Sequence, residues 1–154
     1  MTRYTRQTAV LGSAAQEQLT GASVLVIGAG GLAAPVTQYL VGAGVGHIRI
    51  VDADAVSLSN LHRQTVFRAM DIGLPKVHVI AKAMTALNPD TTIEPIHQRV
   101  DPANISTLCA GMTLTLDCAD SFAVSYVASD HCLERGQPLI SASVIGRNGY
   151  VGGF

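Results

Sequence analysis

Ser23-Val24-Leu25-Val26-Ile27-Gly28-Ala29-Gly30-Gly31-Leu32-Ala33-Ala34-Pro35 carries an apolar run into a glycine-rich turn and on into an amphipathic run. Val24 to Ile27 are large and apolar at successive positions, as in a parallel strand buried on both faces. Gly28 permits a tight turn, Gly30 lets backbone N–H groups approach a phosphate, and the following helix aims its positive N-terminal end at the same point. Ala33 stands where the G-x-G-x-x-G/A fingerprint takes its third small residue. Strand, turn and helix together give the context a nucleotide-binding turn requires.

The chain around this stretch has 154 residues, 48% of them hydrophobic, which suits a single domain with a real core. A net charge of −1 gives no sign of a nucleic-acid or membrane surface. No apolar run reaches the roughly 18 residues of a membrane span, and Met1-Thr2-Arg3-Tyr4-Thr5-Arg6 lacks a signal peptide's apolar core. A cytoplasmic protein with neither nucleic acid nor membrane as partner is the expectation. Cys109, Cys118 and Cys132 are odd in number and lack C-x-x-C spacing, which speaks against a disulfide framework and a zinc knuckle. They are expected to be reduced, buried small hydrophobes.

Upstream of the turn, helix formers around Ala14 to Leu19 predict a short helix with Ser13 as N-cap, preceded by an extended arm bearing Arg3 and Arg6 as solvated cations. Downstream, Val36, Tyr39, Leu40 and Ala43 recur at helical spacing, and Gly44 and Gly46 close that helix. His47 to Asp52 reads as a second strand. Its terminal acid stands 24 positions after Gly28, near the spacing of about 20 for a carboxylate that bonds ribose hydroxyls.

Asp54 to Gln64 is a polar loop that a simple βαβ unit does not need, and Leu58 and Leu61 suggest that it is packed. Pro75 suits the first position of a helix whose stripe is Val77, Ile80, Ala81, Met84 and Leu87, ended by Asn88-Pro89. Lys76 is unfavourable at that helix start unless an anion faces it.

Thr92 to Ile96, Leu114 to Cys118 and Pro138 to Ala142 read as further strands, and Asn104 to Cys109 and Ser121 or Phe122 to Glu134 as helices. Asp117 and Asp120 are two carboxylates at the strand edge where open α/β sheets bind ligands. Ile145 to Val151 carries an Asn148-Gly149 hairpin signal. The alternation predicts a Rossmann-like, doubly wound α/β domain over residues 1–154, with a mainly parallel sheet, helices on both faces and a C-terminal hairpin start. Stopping in a returning strand, the chain is expected to be the N-terminal part of a longer parent.

Arg3-Tyr4-Thr5-Arg6-Gln7, Gly28-Ala29-Gly30-Gly31-Leu32, Asp52-Ala53-Asp54, Ser59-Asn60-Leu61-His62-Arg63-Gln64, Asp71-Ile72-Gly73-Leu74-Pro75-Lys76 and Asp117-Cys118-Ala119-Asp120 together resemble the ThiF/MoeB/HesA family, relatives of the ubiquitin-activating enzymes. The resemblance implies an adenylyltransferase acting on the C-terminal glycine of a ubiquitin-like sulfur carrier, as in thiamine or molybdopterin biosynthesis. The carboxylate attacks the α-phosphate of ATP and pyrophosphate leaves. It further implies that Asp52 holds the ribose, Gly28 and Gly30 the phosphate side, and Asn60, Arg63 and Lys76 the phosphates, with Gly31 and Gln64 also among the nucleotide-binding residues. Asp120 would hold Mg²⁺, and Arg6 would enter the site of a second subunit in a homodimer. Arg6, Arg63, Lys76 and Asp120 are thus the catalytic candidates, with Lys76, Arg63 and Asp120 expected to be exposed charges of little weight in stability.

Three features depart from the family pattern. Ala33-Ala34 replaces a Gly-Ser/Thr/Cys pair, Ser121 stands where asparagine is usual, and the second half, with its zinc-binding C-x-x-C pairs and acceptor cysteine, is missing. Zinc is therefore not expected in this segment. Two other functions remain open: an NAD-dependent oxidoreductase, which the glycine turn and Asp52 equally allow, and a catalytically silent interaction module. Arg63 and Lys76 favour a triphosphate over a dinucleotide.

Overall fold

The computed structural model describes residues 2–154; Met1 lies outside them. Six strands form one sheet in the order β3-β2-β1-β4-β5-β6. They are β1 (Ser23–Ile27), β2 (His47–Val51), β3 (Thr92–Ile96), β4 (Leu114–Asp117), β5 (Leu139–Ile145) and β6 (Asn148–Gly153). The first five are parallel and β6 returns antiparallel to β5. This is the doubly wound order, reversing between β1 and β4, so a crevice opens beyond the C-terminal ends of those two strands.

Each face of the sheet buries its own core. Val24, Val26, Ile48 and Ile50 pack with α3 (Ala33–Ala43) and α4 (Lys76–Leu87) through Ala33, Val41, Val77, Ile80 and Met84. Leu25, Ile27 and Val51 point the other way, against α5 (Ile105–Cys109) and α6 (Phe122–Arg135) through Ile105, Leu108 and Ala128. Successive residues of β1 therefore serve opposite layers, which is why the run is apolar at every position. Pro95 is accommodated because β3 is an edge strand.

The amino terminus corrects the sequence expectation. Instead of an extended arm, Thr5–Leu11 forms a helix, α1, and Gly12 precedes α2 (Ser13–Gly21), so Ser13 is the first helical residue and not the cap. No residue of α1 is buried; tertiary contacts hold it. Gln7 Nε2 donates to Ala43 O at 2.8 Å, the Tyr4 ring covers Gly44, and the Tyr4 hydroxyl accepts from buried Asn88. Arg3, read as a solvated cation, donates to the Leu87 carbonyl at the end of α4. A helix of this length is marginal by itself, so docking decides it.

The hairpin is corrected too. Ile145 pairs with Asn148, leaving Gly146-Arg147 as the two-residue loop, while Asn148-Gly149 begins β6. Gly146 has φ +61° and Arg147 does not enter the left-handed region, which suits a turn with glycine first. None of the described helices is long and apolar enough to cross a membrane.

A candidate nucleotide site at the sheet's switch point

The glycine turn is fixed by its neighbours on both sides. Gly28 N donates to Val51 O of β2 at 2.8 Å, and Cys118 N donates to Ile27 O at 2.9 Å. Gly28 has φ +98°, and a Cβ there would stand 2.8 Å from the Cys118 carbonyl oxygen. Only glycine meets both conditions. Gly30 differs: the nearest atom to a Cβ there would be Gln64 Nε2, at an ordinary 3.5 Å.

α3 starts from this turn, with Ala34 N donating to Gly30 O, and fully buried Ala33 packs it close to the sheet. The backbone N–H groups of Gly30, Gly31, Leu32 and Ala33 have no acceptor among the described residues. Four free donors at the positive end of an 11-residue helix make a ready anion site.

Asp52 follows β2 and grips the turn. Its Oδ2 accepts from Ala29 N at 2.7 Å and its Oδ1 from Asp54 N at 2.6 Å. The carboxylate is half-buried beside the crevice.

The next segment is a tied loop. Ala55 bridges to Pro75, Val56 N donates to Leu74 O, and Lys76 N donates to Asp54 O, so the loop's beginning is stitched to the start of α4. Val56, Gln64 and Phe67 anchor it in the core. Leu61 packs against that core, whereas Leu58 is 72% exposed and contributes little to it.

Of the predicted Ser59-to-Gln64 residues, this loop brings Arg63 and Gln64 against the glycines. The carbonyl and Cγ of Arg63 lie within ordinary contact of a Cβ on Gly31, and the guanidinium is exposed. Asn60 sits on a 3-10 turn whose carbonyl accepts from Arg63 N and Gln64 N. Gln64 is buried, and its Oε1 has no partner among the described residues. A buried acceptor in that condition is costly unless something supplies a donor.

Lys76 corrects an expectation. It is 5% exposed, not a surface charge, and its Nζ donates to Asp54 Oδ2 at 2.7 Å. An anion does face this lysine, and in this structure it is Asp54, a residue the sequence reading assigned no role. The pattern D-x-D before a stitched loop was the available signal.

Of the two carboxylates after β4, Asp117 is buried and consumed internally, accepting from Ser141 Oγ and Ala119 N. Only Asp120 is exposed at the crevice edge. Between them, burial and the charge of Asp117 push the Cys118 thiol up to about 12, so it carries no thiolate for chemistry at neutral pH. Burial also raises Cys109, and all three cysteines are free.

Arg6 is the candidate that the fold does not bring in. It is exposed on α1, which docks on the C-terminal ends of α3 and α4, the sheet edge opposite the glycine turn. Two open depressions, of about 510 and 340 Å³, also lie at that opposite edge, around Met112, Arg135, Pro138 and Phe154. Neither touches the crevice.

Comparison with known proteins bears on the family and the fold. The chain is 42% identical over 153 residues to the molybdopterin-synthase adenylyltransferase of Salmonella typhimurium, covering 98% of this chain and 61% of the relative. It is 40% identical to the sulfur carrier protein adenylyltransferase of Thermus thermophilus, covering 99% of this chain and 57% of the relative. The crystal structure of E. coli MccB with MccA-N7isoASN superposes with a TM-score of 0.91 at 25% identity, over 99% of this chain and 47% of that one. The chain thus spans about half to three-fifths of the length of these proteins. Residues 4–154 match the ThiF family model, and the chain belongs to the ThiF family.

Proposed function

We propose that this chain is the ATP-binding, adenylating part of an enzyme that activates the C-terminal glycine of a ubiquitin-like sulfur-carrier protein. The observation that carries it is the row of free N–H groups from Gly30 to Ala33 at the switch point, against which the loop places Arg63 and Gln64. Two anions, a carboxylate and a triphosphate, have to be brought together, and preorganised donors and cations lower the barrier for that. The names of the two adenylyltransferase relatives support the reaction class.

Asp52 would bond the ribose, the glycine turn the phosphate side, and Asn60, Arg63, Gln64 and Lys76 the phosphates. Among the described residues no three His, Cys, Asp or Glu side chains cluster as a metal cage. Mg²⁺ keeps waters and phosphate oxygens as ligands and asks the protein for one or two carboxylates, and Asp120 is exposed at the crevice edge. Asp120 would supply that carboxylate, and Mg²⁺ would neutralise charge on the phosphates. Arg6, at the far edge of its own sheet, would serve the crevice of a second copy in a homodimer.

ATP–pyrophosphate exchange with added ubiquitin-like carrier tests the reaction, beside titrations with Mg²⁺–ATP and with NAD. Exchange together with selective ATP binding is the expected result. NAD binding without ATP binding would move the site to redox chemistry, and ATP binding without exchange would leave a silent module.

A further inference from the structure

Lys76 and Asp54 are unequal partners. The lysine side chain is 6% exposed and the aspartate side chain 61%. A buried ammonium cannot be left without a counter-charge, whereas an exposed carboxylate can turn into water at little cost. Asp54 is also free to turn, because its backbone is held independently: its N–H by Asp52 and its carbonyl by Lys76 N. The lysine stands in the first turn of α4, so its charge adds to the helix's own positive end.

Resting on the assignment of this crevice to ATP, we propose that Asp54 is a resident counter-ion of Lys76 that the incoming phosphates displace. It is a positioning residue: it holds the ammonium at the crevice when no nucleotide is bound and competes for that ammonium when one arrives. Asp54 therefore stabilises the ligand-free chain and weakens the binding of bare polyphosphate. A phosphate oxygen beside Lys76 would share the space with the carboxylate, and like charges there repel.

The test is Asp54→Asn, which keeps an acceptor for Lys76 and removes the charge. Binding of ATP in EDTA and of adenosine is measured by titration for both proteins, with melting temperatures without ligand. Asp54→Asn is expected to bind bare ATP about tenfold more tightly, the scale of one charge-assisted hydrogen bond, with adenosine affinity unchanged and a lower ligand-free melting temperature. A merely structural aspartate would not tighten phosphate binding. Unchanged or weaker binding of bare ATP by the variant overturns the proposal, and weaker binding would make Asp54 a direct ligand of the nucleotide or its metal. Wild type that binds neither ligand removes the nucleotide reading itself, and the proposal with it. If Asp54→Asn does not fold alone, Asp54→Asn with Lys76→Met decides: recovery of folding supports a stranded ammonium as the cause, and no recovery overturns it.

Discussion

The Asp52 carboxylate accepts a hydrogen bond from Ala29 N at 2.7 Å, tying the acid that follows β2 to the middle of the glycine turn that follows β1. One side chain thus shapes the phosphate loop and borders the crevice in which a ribose would lie. Asp52→Ala is expected to weaken ATP binding by about 1–3 kcal/mol, the range for leaving buried donors without their acceptor. Titration of the folded variant checks this, and unchanged affinity would take Asp52 out of the site.

The two glycines of the turn should respond differently to alanine. At Gly28 a methyl group meets the Cys118 carbonyl and a left-handed backbone, so Gly28→Ala should cost roughly 1–3 kcal/mol or more in urea denaturation. Gly30 has room for a methyl group, so Gly30→Ala should melt near wild type. Its Cβ would stand beside the free N–H groups, and ATP affinity should fall. A Gly30→Ala chain that binds ATP normally would move the phosphates elsewhere.

Lys76→Ala, or Asp120→Ala in a separate variant, should each lower carrier-dependent ATP–pyrophosphate exchange by roughly 100-fold or more, the scale for losing one preorganised charge-stabilising group. Asp120→Ala should melt like wild type, since that carboxylate is exposed. Arg6→Ala should lower exchange as well, but in trans. Arg6→Ala mixed with Lys76→Ala should recover about a quarter of wild-type activity, because half of the pairs are mixed and each mixed pair has one intact site. No recovery on mixing would confine the chemistry to a single chain.

Cys118 gives a pH signature. Its folded value is raised from 9.0 to about 12, so above pH 9 the unfolded chain has lost the proton that the folded chain keeps. Fewer protons on the unfolded state means that stability falls as pH rises from about 9 towards 12, by at most about 1.4 kcal/mol per pH unit from this group. Urea denaturation of wild type and Cys118→Ala across that range should show the variant losing less. An identical decline in both would assign alkaline sensitivity to other groups.

Much of this protein was legible because it is local. The apolar run of β1, the glycine turn, the stripe of α4 and the alternation of strands and helices follow from side-chain period and turn chemistry within short windows. Asp52 and Lys76 could be singled out because one follows a strand and the other starts a helix, whereas Arg63 and Gln64 were named from the family resemblance alone. Only the tertiary structure decided the rest. Thr5–Leu11 is helical because Tyr4 and Gln7 dock on residues 36 or more positions away, and the strand register, not the Asn-Gly pair, placed the hairpin turn on Gly146-Arg147. Lys76 is buried against Asp54 because the loop between them is stitched back on itself. Whether a charge ends exposed, paired or at the opposite edge, as Arg6 does, depends on which distant surfaces meet, and no local pattern carries that.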